Sequence, residues 1–110
     1  MPAKFVIRKA SDGQFMFNLI ASNGEKILSS ELYRAKSSAL QGIESVRRNS
    51  GVDARFERKV NKAKQPYFVL KAGNHEVIGT SESYSSAQAM ENGIASVKAN
   101  ASVAVMDDQS

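Results

Sequence analysis

The sequence contains no cysteine, which excludes disulfide bonds and thiolate metal sites. Histidine occurs once, at His75, and a lone histidine without a cysteine or a second histidine makes a poor metal ligand. No apolar run approaches the roughly 20 residues of a membrane-spanning helix. The first apolar run, Phe5 to Ile7, is too short for a secretory signal. We therefore expect a soluble, cytoplasmic protein with no metal and no other cofactor.

Signatures of catalysis are missing as well. The glycines fit neither of the phosphate-binding patterns G-x-G-x-x-G and G-x-x-x-x-G-K. No serine stands in a nucleophile elbow. His75 is a base without an identifiable nucleophile, and we assign it to a surface turn. The sequence thus predicts a protein that is not an enzyme and has no catalytic residue.

What the sequence does contain is one pattern written twice, at an offset of 51 residues throughout. The recurring residues of the first copy are Phe17, Leu19, Ala21, Asn23, Glu25, Ile27, Ser30, Glu31, Tyr33, Gly42, Ile43, Ser45, Val46 and Asn49. Their counterparts are Phe68, Leu70, Ala72, Asn74, Glu76, Ile78, Ser81, Glu82, Tyr84, Gly93, Ile94, Ser96, Val97 and Asn100. Such a fixed period indicates a tandem duplication.

The two copies together predict a single domain. Hydrophobic content of 42% and charged content of 24% are typical of a globular protein. One copy of about 50 residues would bury too little surface to be stable alone, so the copies should share a core. We place repeat one at about residues 4–53 and repeat two at about residues 54–105 of a domain spanning residues 1–105. Residues 106–110 are expected to form a flexible tail.

Each copy begins with strand-like segments. Apolar residues alternate from Phe15 to Ala21, which predicts a strand with one face on the core. A strand over residues 4–9 precedes it, and Asn23-Gly24 predicts a tight hairpin to a third strand. Copy two has His75 where copy one has glycine. Because histidine adopts positive φ less readily, we predict that this turn lies one residue earlier, on Gly73-Asn74.

A helix follows in each copy. Ser85 and Gln88 form a capping-box pattern in copy two, whereas Arg34 occupies the equivalent place in copy one, so that helix is predicted to begin later, at Ser37. Apolar residues recur at helical spacing in both copies: Ala39, Ile43 and Val46, then Met90, Ile94 and Val97. Gly42 and Gly93 lie beside these stripes. A glycine costs a helix roughly 1 kcal/mol, and its repetition indicates a close approach of helix to sheet.

A strand-like run follows each helix, at residues 54–60 and 103–106. The first run is both the last segment of copy one and the first segment of copy two. The second has no local hairpin partner, so we expect residues 103–106 to pair with a strand of copy one. The order of elements predicts an α+β fold in which both helices cover one face of an antiparallel sheet.

The repeated motifs carry a resemblance to a known family. Phe-x-Leu-x-Ala-x-Asn, then Ile, Ser-Glu-x-Tyr and Gly-Ile-x-Ser-Val before Asn, resemble the YegP-like family of unknown function over nearly the full chain. The resemblance implies tandem β(3)-α-β repeats that form one sheet and exchange their C-terminal strands. It also implies that one-repeat relatives make the same arrangement as homodimers, so the chain would be a monomeric pseudo-dimer. It brings no catalytic residue.

The motif Ser-Glu-x-Tyr is the polar constellation that occurs twice, at residues 30–33 and 81–84. Two carboxylates, Glu31 and Glu82, could act as an acid and base pair if they converged in a concave pocket. We favour a structural role, in which Ser and Glu bond backbone donors and the tyrosine ring packs inward with its hydroxyl at the rim.

Positive charge is concentrated between the copies. Residues 47–64 include seven basic and two acidic residues, a net charge of +5, whereas the whole chain has +4. Nucleic-acid binding would use the basic residues of this segment with Phe56 and Tyr67 as stacking partners. The basic residues concerned are Arg55, Arg58, Lys59, Lys62 and Lys64. The alternatives are plain solvated surface and an acidic protein partner.

The sheet face opposite the helices is a second candidate surface. Its apolar members are Met16, Ile20, Tyr67 and Val69. A mixed apolar patch of this kind often marks a partner site, although ordinary exposed apolar area explains it equally well. We interpret the chain as a small, non-enzymatic binding or interaction module of unknown ligand. Weak, sequence-independent nucleic-acid binding through the basic segment is the alternative.

Overall fold

The computed structural model describes residues 2–110 as one sheet with two helices. Repeat one contains β1 (Lys4–Lys9), β2 (Phe15–Ile20), β3 (Lys26–Ser29) and α1 (Lys36–Asn49). A short 3₁₀ turn, Asp53–Arg55, leads into repeat two. Repeat two contains β4 (Phe56–Val60), β5 (Pro66–Lys71), β6 (Val77–Thr80) and α2 (Ala87–Asn100), followed by β7 (Val105–Asp108). The predicted doubled β(3)-α-β layout is confirmed.

The sheet joins the two repeats through their third strands. Its order is β4-β5-β6-β3-β2-β1-β7, with Ser29 of β3 opposite Thr80 of β6. The last strand, β7, lies beside β1, with Val105 opposite Lys4. The predicted exchange is therefore confirmed, because the final strand of repeat two pairs with the first strand of repeat one.

Two details of β7 differ from the prediction. The strand runs parallel to β1, so the sheet is not purely antiparallel. It also begins two residues later than expected and includes residues 106–108, which we had assigned to a flexible tail. The backbone N–H of Gln109 still donates to the carbonyl of Ile7. The acidic side chains of residues 107 and 108 favoured a solvated tail in the sequence. In the structure they instead bind Lys4 and Lys36 at the edge of the sheet.

Both helices lie on one face of the sheet, over a core shared by the two repeats. The largest fully buried side chains include Phe5, Phe17 and Leu19 from repeat one and Phe68 and Leu70 from repeat two. The predicted helical stripes all belong to the same cluster of buried residues. A side chain added at Gly79 would lie 2.5 Å from Leu28 Cδ2, so β6 and β3 pack tightly where the repeats meet.

The hairpins of repeat two keep the geometry of repeat one without its glycines. His75 has a φ of 72°, and its N–H donates to Ala72 as that of Gly24 donates to Ala21. The prediction of an earlier turn on Gly73-Asn74 is therefore wrong. Lys64, with a φ of 63°, likewise takes the place of Gly13. The hydrogen bonds of the two repeats match, so tertiary pairing outweighs the local preference of these side chains.

The helices begin one residue away from the predicted caps. Ser86, not Ser85, is the N-cap of α2, and its hydroxyl accepts a hydrogen bond from the N–H of Ala89 at 3.1 Å. The helix α1 starts at the equivalent position, Lys36, although its N-cap Ala35 offers no side-chain acceptor. The start of α1 therefore depends on packing against the shared sheet and not on a side-chain cap. No helix within residues 2–110 is long and apolar enough to cross a membrane.

Candidate functional site

A cleft of about 400 Å³ lies between the turn that joins β2 to β3 and the helix α2. Repeat one contributes one wall and repeat two contributes the other. The lining residues are Asn23, Glu25, Ile27, Glu82, Tyr84, Ala89, Asn92, Gly93 and Ser96. None of these described residues is basic, and two are glutamates. The cleft is therefore an acidic, inter-repeat site with an aromatic wall.

The repeated motif Ser-Glu-x-Tyr builds one side of the cleft. Ser81 accepts a hydrogen bond from the N–H of Phe68 and donates one to the carbonyl of Glu82, at 2.9 and 2.8 Å. Ser30 makes the same two bonds in repeat one. The predicted structural role is confirmed for the serines. They fix the chain beside the sheet, and the hydroxyl of each following tyrosine reaches the glycine of a helix.

Tyr84 forms the aromatic wall. Its ring is stacked on that of Phe68, with centroids 6.2 Å apart, and its hydroxyl lies over Gly93 of α2. A Cβ at Gly93 would overlap this hydroxyl, and one at Gly42 would lie 2.7 Å from the hydroxyl of Tyr33. The glycines were predicted to allow close approach of helix to sheet. The structure adds that the tyrosine hydroxyl is the nearest group.

Two carboxylates flank the Tyr84 hydroxyl, one from each repeat. Burial raises the pKa of this hydroxyl, and the negative charges of Glu82 and Glu25 raise it further. The hydroxyl therefore keeps its proton at neutral pH. It makes no hydrogen bond to another residue of the described chain, so a ligand in the cleft would find both a donor and an acceptor there.

The two Ser-Glu-x-Tyr motifs do not share a site. Glu82 is grouped with Tyr84 and Glu25, whereas Glu31 is grouped with Tyr33 and Glu76, whose charges raise the pKa of Tyr33 after the larger effect of burial. The acid and base pair that we considered needed Glu31 and Glu82 to converge. Instead each acts on the tyrosine of its own motif together with the turn glutamate of the opposite repeat, which sequence spacing alone could not indicate.

Other repeated residues have structural roles. Asn23 accepts from the N–H of Glu25 at 3.0 Å, which stabilises the turn at the mouth of the cleft. In both helices the asparagine near the C-terminus donates to the serine four residues earlier, as Asn100 does to the Ser96 carbonyl at 2.7 Å. The Ser96 hydroxyl accepts a second hydrogen bond from the same amide. Ser96 is thus part of the helix end and is not paired with a base.

Within the basic segment, Arg58 is engaged in a network of ion pairs. Arg58 binds Glu91 at 2.9 Å and Asp53 at 3.2 Å, and Lys98 also binds Asp53 at 2.8 Å. Hydrogen bonds from Lys98 and then Arg58 lower the pKa of Asp53. This network holds the 3₁₀ turn, β4 and α2 together. It also reduces the positive charge that Arg58 could present to a phosphate.

The remaining candidates in this segment differ in accessibility. The Nε of Arg55 is buried and has no partner in the described chain, and its guanidinium faces Gly73. Lys59 is 3.5 Å from Glu57. Lys62 and Lys64 are exposed at the turn between β4 and β5 and make no ion pair within residues 2–110. The segment thus presents mainly lysine side chains at one edge of the sheet.

The proposed partner surface is less exposed than the sequence indicated. Met16, Ile20 and Tyr67 are half-buried, but Val69 is only 5% exposed. It lies on β5, which is paired on both sides, with β4 and with β6. Val69 is therefore corrected to a buried residue, which leaves Met16, Ile20 and Tyr67 as the partly accessible members of the proposed surface.

Both repeats match a known protein family. The family model described as "Domain of unknown function (DUF1508)" matches twice, at residues 10–57 and 61–108. The chain belongs to this family. The matches cover most of the chain and agree with the two repeats of the structure.

The chain is also similar to individual bacterial proteins. The chain is 57% identical to the UPF0339 protein YegP of Yersinia pestis, over 94% of this chain and 93% of the relative. It is 51% identical to YegP of Escherichia coli K12, with 98% of each covered. Its fold matches the solution structure of yegP from E. coli with a TM-score of 0.93 at 50% identity, covering 99% of this chain and 94% of that one. These relatives confirm the YegP-like resemblance and the fold.

Proposed function

We propose that this chain is a non-enzymatic binding module whose ligand occupies the inter-repeat cleft. The observation that carries the proposal is the cleft itself, of about 400 Å³, which neither repeat could form alone. Its volume is within the range of small-molecule sites. The protonated hydroxyl of Tyr84 and the structural hydrogen bonds of Ser96 favour recognition over chemistry, because neither group is an activated nucleophile.

The chemistry of the lining favours a small organic cation with a primary ammonium group. Glu25 and Glu82 supply negative charge, and the oxygen of Tyr84 can accept a further hydrogen bond. An ammonium has three donors and can satisfy these acceptors together. A metal ion is less suited, because no three metal-binding side chains are gathered anywhere in residues 2–110.

A titration with 1,4-diaminobutane tests this function. We expect chemical-shift changes in the labelled chain at Tyr84, Gly93 and the turn around Glu25. 1,4-Butanediol has the same length without charge and should not bind. Glu82→Gln should weaken binding at least about tenfold, since a hydrogen bond to a charged group is worth roughly 1.5 kcal/mol or more.

Repeat one supplies the matched control. Glu31→Gln removes the equivalent carboxylate from the other Tyr-Glu group, and the affinity should stay within about twofold of the unmodified chain. Equal losses from both variants, or no saturable shifts at the cleft, would contradict the proposal. We also propose that the chain acts as a cytoplasmic monomer, which the cysteine-free sequence and the exchange of β7 within one chain support.

A further inference from the structure

The first strands of the two repeats, β1 and β4, differ in whether their outer edge is paired. On β1 the outer edge is paired with β7, so that the carbonyls of Ala3 and Ile7 accept from Val105 and Gln109. The offset of 51 residues maps these carbonyls to Ala54 and Arg58. In the described chain β4 is paired on one side alone, with β5. The offset maps β7 to residues 54–57, which form the end of the 3₁₀ turn and the start of β4 and so cannot pair with its outer edge.

The 3₁₀ turn covers the beginning of this edge. The N–H of Phe56 donates to the carbonyl of Asp53. Beyond that point, strand alternation leaves the backbone groups of Arg58 and Val60 on the outer side. Val60 is 65% exposed. The free length of β4 is therefore its second half, next to the lysines of the turn.

We propose that the free edge of β4 binds an extended, acidic segment of a partner protein as a parallel strand, in the manner in which β7 binds β1. The internal precedent is β7 itself, whose Asp107 binds Lys4 at 3.3 Å and whose Asp108 binds Lys36. Edge strands commonly accept peptides by such strand addition.

The charges of β4 fix the register. On β1, Asp107 lies opposite Val6, whose counterpart on β4 is Glu57. In the same register, the corresponding aspartate of a bound peptide would therefore face Glu57 and be repelled. A shift of two residues along β4 avoids the 3₁₀ turn, keeps each side chain on the same face, and places this aspartate opposite Lys59. Lys62 and Lys64 then extend the positive charge beyond the strand.

A partner protein is favoured over the other occupants. A second copy would have to offer its own acidic strand, which is already held on β1 by Lys4 and Lys36. Nucleic acid would need a broad set of free cations, yet Arg58 is occupied by Glu91 and Asp53, which leaves mainly the lysines at this edge. An extended peptide uses the backbone groups that are free and needs only the lysines for charge.

The test is a titration of the isotopically labelled full chain with a synthetic peptide of the sequence of residues 101–110. We expect the amide signals of Arg58 and Val60 to shift. Val60→Pro removes an outward N–H that makes no bond to β5, so the affinity should fall about two- to tenfold. Val60→Ala retains the N–H and should stay within about twofold of the unmodified chain.

Two further variants measure how much charge contributes to peptide affinity, apart from backbone pairing. A peptide with lysine at both aspartate positions should bind at least about fivefold more weakly, as should the original peptide to Lys59→Glu. The proposal is overturned if both peptides bind equally or if shifts occur elsewhere. It is also overturned if a single-stranded oligonucleotide binds this edge and the peptide does not, or if the chain alone dimerises through β4.

Discussion

Gly93 shows how a single missing methyl group shapes the candidate site. A helical glycine ordinarily costs about 1 kcal/mol relative to alanine. Here a Cβ would overlap the Tyr84 hydroxyl and lie 3.3 Å from the Phe68 ring. The glycine thus allows the tyrosine to reach the helix and to form the wall of the cleft. The same arrangement in repeat one, at Gly42 and Tyr33, explains why the glycine recurs.

Gly93→Ala is expected to destabilise the protein by about 1 to 3 kcal/mol, as overpacking usually does. Gly51→Ala is the matched control, since nothing lies within 4 Å of a Cβ there. Thermal unfolding of both variants measures the difference. If Gly93→Ala raises the melting temperature, helix propensity outweighs the clash and the role assigned to this glycine is wrong.

Positive φ in the turns of repeat two leads to a second prediction. His75 has a left-handed conformation where repeat one has Gly24. That conformation costs a non-glycine residue roughly 1 to 2 kcal/mol, part of which is offset by the greater freedom of glycine in the unfolded state. His75→Gly should therefore stabilise the chain by about 0.5 to 1 kcal/mol. The reciprocal change, Gly24→His, should destabilise it. Chemical denaturation measures both changes, and destabilisation by His75→Gly or stabilisation by Gly24→His would refute the account.

At the scale of elements, β7 is held on β1 by backbone hydrogen bonds and by the ion pairs of Asp107 and Asp108. The strand has four residues, and its side chains are mostly exposed. The hydrogen bond from Lys36, with smaller effects from Ser110, lowers the pKa of Asp108 from 3.8 to about 2. The unfolded chain thus binds a proton at this carboxyl more readily than the folded chain does, so acid favours release of the strand.

Amide protection in β7 is expected to fall as the pH drops from about 4 to about 2, between the ordinary and the lowered pKa of Asp108. The N–H groups of Val105 and Gln109, which bond to β1, report this release when exchange rates are corrected for pH. Asp108→Asn removes the titrating group and should flatten the dependence. An unchanged dependence in this variant would mean that another group controls β7.

The elements also show which features the sequence could predict. The period-2 and helical spacings predicted the strands and helices, and the missing hairpin partner of the last run predicted its exchange. Local chemistry misled where long-range pairing dominates, as at the turn on His75 and the start of α1. The cleft was beyond prediction, because Glu25 and Glu82 are 57 positions apart in the sequence and meet through the pairing of β3 with β6.

For the whole molecule, duplication produced a unit that neither repeat could form alone. The core, the seven-stranded sheet and the cleft each contain residues of both repeats. The two Tyr-Glu groups remain related by the duplication but are not identical. Ala89 and Asn92 line the cleft where repeat one has Ser38 and Gln41. These differences in side-chain volume offer a reason for one preferred ligand site in a chain with two related groups.

The most direct test is the measurement of intermolecular nuclear Overhauser effects between labelled protein and bound 1,4-diaminobutane. The account predicts contacts from the ligand methylenes to the Tyr84 ring and to Ile27 together, since one belongs to each wall of the cleft. Contacts to Tyr84 without any residue of repeat one, equal contacts at Tyr33, or contacts confined to the basic segment would contradict it.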